Sequence, residues 1–112
     1  MSNLHYFHRD WIESTDESLD VDVCVYGGTA GGVVAAVKAA RLGHRVALLQ
    51  PGRHLGGMTT GGLGWTDYGR KWVIGGMSRQ FYREMGHFCD RDELWHFEPH
   101  VATKVMHALV ED

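Results

Sequence analysis

The chain has 112 residues, 44% hydrophobic and 22% charged, with a net charge of −3, the composition and size of one ordinary globular domain. Residues 1–22 contain six acids and one base, leaving −5, while the rest has eight acids and ten bases, leaving +2. A mildly basic body suits a phosphate-bearing small ligand, and it lacks the clustered basic stripe of a nucleic-acid surface. No apolar run reaches the roughly 18 residues of a membrane span, and the charged N-terminus lacks a secretory core, so a cytoplasmic location is expected.

Residues 1–20 read as a polar arm with aromatic anchors at Tyr6, Phe7 and Trp11. Val21–Tyr26 is a β-branched run that ends at glycines, the pattern of a buried strand. Cys24 inside it is expected to be a buried small hydrophobe. Cys24 and Cys89 match no metal or redox spacing.

From Gly31 to Leu42 small apolar residues recur, predicting a helix packed closely on a sheet, with Gly43 just past its end. Arg45–Gln50 predicts a second strand, stopped by Pro51 and Gly52. Strand, helix and strand in about 30 residues make a βαβ unit with parallel strands.

Nine of the 25 residues from Gly52 to Gly76 are glycine. Long segments without regular structure serve a function or are disordered. Trp65, Tyr68 and Trp72 in this one favour an ordered, backbone-rich loop. Trp65 and Trp72 are expected to be packing residues and not catalytic ones.

Two helices complete the chain. Met77, Phe81, Met85 and Phe88 form one core-facing stripe in residues 77–88, with His87 beside it in a structural role. In residues 98–112, Pro99 suits a first helical turn, and Val101, Val105 and Leu109 define an apolar face. His96 and His100 flank that proline, which argues against a shared metal-binding face. No residue is assigned a catalytic role.

The chemistry concentrates in Gly27-Gly28-Thr29-Ala30-Gly31-Gly32. A dinucleotide turn needs a first glycine where the backbone leaves the strand sharply. A second admits the diphosphate, and a third lets helix and strand pack closely. Gly27 and Gly32 fill the first and third places. Thr29 fills the second, where its side chain either crowds the phosphates or donates its hydroxyl to one. The diphosphate rests on unpaired amides at the helix N-terminus. Gln50 ends the second strand, 18 residues after Gly32, where an acid usually meets the adenosine ribose. An amide can accept from one hydroxyl and donate to another without charge. Arg53 nearby admits a rival reading, a 2′-phosphate and hence NADP.

Residues 24–69, from CVYGGTAGG through LLQPGRHLGGMTTGGLGWTDYG, together with IGGMSRQFYREMG and FEPHVATKVMHALV, resemble the N-terminus of FAD-dependent oxidoreductases of the glutathione-reductase-like type. The resemblance is greatest to a bacterial branch and covers roughly residues 20–112. It implies an α/β, Rossmann-type FAD-binding unit in residues 21–112, preceded by the arm. By the same resemblance, Gly27, Gly28, Thr29, Ala30, Gly31 and Gly32 hold the FAD diphosphate and Gln50 addresses the ribose. Pro51, Gly52, Arg53, Gly56, Gly57, Met58, Thr59 and Thr60 then run along the diphosphate and ribityl chain towards the flavin.

The implied reaction transfers hydride or electrons between a small organic substrate and FAD. Gln50 departs from the family's usual acid, and the chain is far shorter than family members. The expectation is therefore an N-terminal piece, truncated or needing a missing half or a partner chain. A catalytically inactive remnant and an NAD(P)-binding module stay open as alternatives.

Overall fold

The computed structural model describes Asp10, Glu13, Ser14 and residues 16–111. The arm's Tyr6, Phe7 and Trp11 lie outside the described residues. Strand β1 (Val23–Tyr26) leads through the glycine turn into helix α1 (Ala30–Arg41), which returns to strand β2 (Val46–Leu49). Short 3-10 turns at Gly57–Thr59 and Lys71–Val73 punctuate the glycine-rich segment, and helices α2 (Gly76–His87) and α3 (Pro99–Glu111) follow. No helix among the described residues is long and apolar enough to cross a membrane.

The strands pair in parallel, Val23 with Val46 through Tyr26 with Leu49. Asp22 sets this register. Its carboxylate accepts from the Arg45 amide at 2.8 Å and from the Arg45 guanidinium at 3.0 Å, while its own amide donates to the Arg45 carbonyl. Arg45 thereby holds the Asp22 carboxyl below the ordinary carboxylate range. Helix α1 stops where expected. Gly43, at φ 93°, donates to Ala40 and His44 donates to Ala39, so the last carbonyls are satisfied by a left-handed glycine cap.

One face of the sheet is covered. Val33 and Val37 of α1, Phe81 and Met85 of α2, and Ala102, Val105, Met106 and Leu109 of α3 form the core, with Leu48 of β2 packed against it. The other face carries Cys24, which is exposed, and this corrects the expectation that it is buried. In a parallel strand alternate side chains face opposite ways; Cys24, Tyr26 and Leu49 share the uncovered side. The α2 stripe is corrected in the same way. Phe81 and Met85 are buried and Met77 is half-buried, but Phe88 lies just past the helix end and is 59% exposed. His87 is exposed and lies 3.4 Å from the Glu84 carboxylate.

The glycine-rich segment is ordered by partners later in the chain. Thr66 donates to the Trp95 carbonyl and Phe97 donates to the Gly64 carbonyl, a short antiparallel contact centred on Trp65 and His96. Trp95 is buried and stacks on Tyr82, with ring centroids 4.1 Å apart. Arg79 clamps the same region, donating to Glu93 at 2.5 Å and to the Lys71 carbonyl at 2.7 Å. Trp65 and Trp72, expected to be packing residues, pack only at the surface, 62% and 74% exposed. Trp95 occupies the interior position, where Tyr68 and Lys71 of the loop meet its ring.

Candidate functional site

The site is a crevice at the carboxyl ends of β1 and β2, the end of a parallel sheet where ligands bind. Gly27 leaves β1 at φ 112°, a conformation that an L side chain resists, while its amide still donates to the Leu49 carbonyl at 2.8 Å. Gly28 is buried, and its amide donates to Oε1 of Gln50 at 2.7 Å. A Cβ on Gly28 would lie 2.7 Å from Leu55 and 3.1 Å from Gln50, so a larger residue there would have to push those two side chains aside. Gln50 thus folds back from β2 onto the turn, with one acceptor lobe committed to the protein and its Nε2 donors remaining.

Thr29 neither crowds the crevice nor points its acceptor into it. It is the N-cap of α1, in an extended conformation, and its Oγ1 accepts from the Gly32 amide at 3.2 Å. Threonine at this place follows from helix capping, where a hydroxyl satisfies one of the orphan first-turn amides. Gly32 is required for a separate reason: a Cβ there would overlap the carbonyl oxygen of Gly27. Gly31 is exposed and has nothing within 4 Å of where a Cβ would stand.

The amides of Ala30 and Gly31 meet no acceptor among the described residues, whereas those of Gly32 and Val33 are bonded to Thr29. The first turn of α1 contains no acid. Two free donors, the positive end of a 12-residue helix and no competing carboxylate favour an anion there.

The second glycine segment closes the crevice from the other side. Gly56, at φ 99°, donates to the Gly28 carbonyl at 2.8 Å and bridges Thr29 in parallel. Gly57 lies against Thr29, where a Cβ would stand 3.5 Å from the threonine Cα. Met58 is 80% exposed and Thr59 half-buried. Pro51, Gly52 and Arg53 form an exposed bend beyond β2. Thr60 differs from its neighbours in being 2% exposed, with its hydroxyl bonded inside the loop.

The fold therefore gathers Gly27 through Gly32, Gln50, Gly56 and Gly57, which stand up to 30 residues apart in the chain, around one crevice. Leu55, which seats the turn by packing on Gly28, was not singled out by residue type. Its signal is its place immediately before Gly56 and Gly57. Asp67 is exposed on the surface. His96 meets the edge of Trp65, and His100 pairs with Glu98 at 3.2 Å. Among the described residues no three His, Cys, Asp or Glu side chains are grouped to hold a metal.

A backbone cradle of glycines and free amides, without bulk or acid, fits an extended diphosphate-bearing cofactor. A family model described as FAD dependent oxidoreductase matches residues 22–112. A mitochondrial dihydrolipoyl dehydrogenase of Rattus norvegicus is 44% identical over 43 residues, which are 38% of this chain and 8% of that protein's length. No solved structure matches.

Proposed function

The chain belongs to the FAD dependent oxidoreductase family, and on that premise we propose that its glycine crevice holds the diphosphate of FAD. In the reaction proposed for the protein, hydride or electrons pass between a small organic substrate and the flavin. The observation that carries this reading is the pair of unpartnered amides, Ala30 and Gly31, at the acid-free start of α1.

The flavin supplies the redox chemistry when bound; this chain binds and orients it. The Ala30 and Gly31 amides donate to diphosphate oxygens, assisted by the helix dipole. Gly31, where a Cβ would meet open space, keeps a side chain out of the phosphate path, while Gly56 and Gly57 let the second segment pack on Thr60 and Thr29. Gln50, with Oε1 held by the Gly28 amide, donates from Nε2 to a ribose hydroxyl. The segment from Pro51 to Thr60 would run along the diphosphate and ribityl chain towards the flavin.

Titration of the purified chain with FAD, followed by quenching of flavin fluorescence, tests the reading, with NAD and NADP titrated in parallel. FAD is expected to bind more tightly than either. Absence of FAD binding, or tighter binding of NADP through Arg53, would overturn it.

A further inference from the structure

Thr60 stands in the glycine-rich segment whose residues line the proposed cofactor path, yet its side chain is closed off from any ligand. It is buried, and Oγ1 donates to the Leu55 carbonyl at 2.5 Å. Because the hydroxyl hydrogen is used there, the same oxygen accepts from Nε2 of His54, 2.9 Å away. The methyl and hydroxyl also press on Gly56: a Cβ at that glycine would collide with Cγ2, Oγ1 and Cβ of Thr60.

This packing has a direction. Thr60 fixes the Leu55 carbonyl and the left-handed backbone of Gly56. Gly56 in turn donates to the Gly28 carbonyl at 2.8 Å, and its neighbour Gly57 lies on Thr29. Thr29 caps the helix whose first two amides are free.

We infer that Thr60 is a positioning residue: its buried hydroxyl locks residues 54–57 into one rigid turn and so sets the separation of the two glycine segments that form the crevice. The inference rests on the FAD reading only for its consequence in binding, since the lock itself belongs to the chain without ligand. It assigns Thr60 no contact with cofactor, in contrast to the sequence expectation.

Amide hydrogen exchange of the ligand-free chain tests the lock, read at Gly56 and referred to Val105 in the core. Thr60→Val keeps the shape and removes the hydroxyl; Thr60→Ser keeps the hydroxyl. The expected result is exchange at Gly56 about tenfold faster in Thr60→Val, the effect of losing one buried hydrogen bond, with Val105 unchanged. Thr60→Ser should match the parent chain. Unchanged exchange at Gly56 in Thr60→Val would overturn the inference, as would acceleration that Val105 shares equally.

Should Thr60→Val not fold, Thr60→Ser decides alone. Parent-like protection of Gly56 supports the hydroxyl lock, and about tenfold loss of protection overturns it. In the FAD titration, Thr60→Val should weaken binding about tenfold and Thr60→Ser should not. If the parent chain binds no FAD, the cofactor reading fails while the exchange data still decide the role of Thr60.

Discussion

Gly28 donates its buried amide to the side-chain oxygen of Gln50 across 22 positions of chain, at 2.7 Å. The bond ties the end of β2 to the turn that follows β1, and it gives Gln50 a structural duty as well as a proposed place beside the ribose.

Replacing that oxygen should therefore destabilise the chain before any cofactor is added. Gln50→Leu leaves a buried amide without an acceptor, a change that costs about 1–3 kcal/mol. Gln50→Glu keeps an acceptor and should unfold at or above the parent's urea midpoint. Equal midpoints for the parent and Gln50→Leu would show that the bond contributes nothing.

The two glycines that open α1 should respond in opposite ways. Gly32→Ala drives a methyl into the Gly27 carbonyl and should lower stability by about 1–3 kcal/mol. Gly31→Ala meets open space and gains helix propensity, so it should stabilise the ligand-free chain by up to about 1 kcal/mol. The same methyl stands in the proposed phosphate path, so FAD affinity should fall in the more stable variant. Thermal melts and the FAD titration, made on both proteins, check the two halves of this prediction.

Acid should loosen the fold through two carboxylates. Arg45 lowers the pKa of Asp22 from its ordinary 3.8, chiefly by a side-chain hydrogen bond, and Arg79 lowers that of Glu93 from 4.5 in the same way. Both groups bind protons less readily folded than unfolded. Their contribution is therefore complete above the ordinary carboxylate values and is lost as pH falls through the lower, folded ones. The melting temperature should drop below about pH 4.5, and Asp22→Asn and Glu93→Gln should each reduce that drop. A variant with a parent-like acid profile would remove its carboxylate from the account.

Within the α2 stripe, burial should outweigh periodicity. Met85 is fully buried whereas Phe88 is 59% exposed. Met85→Ala should cost about 2–5 kcal/mol, and Phe88→Ala should stay within about 0.5 kcal/mol of the parent. Comparable losses at both positions in urea denaturation would contradict this assignment of the core.

These contrasts mark what residue patterns convey. The strand–turn–helix–strand order was legible because β-branched runs, small helical residues and flanking glycines agree, and the element ends fall within two residues of the expected ones. Exposure of Cys24, Phe88, Trp65 and Trp72 was not legible, because it depends on which sheet face α1–α3 cover and on Trp95 filling the interior. The glycine turn was readable from its spacing. The capping role of Thr29, the inward bond of Gln50 and the burial of Thr60 were not, since each depends on where another segment or a helix end lies in space.

The Gly56–Gly28 bond joins segments 28 residues apart. Strand pairing brings Gln50 to Gly28, but the crevice is complete only when the later loop returns to the turn. Loop-closure entropy must be met before those contacts form. The crevice thus has two walls from different parts of the chain, and a peptide ending at Gln50 would contain the whole βαβ sequence while lacking one wall of the site.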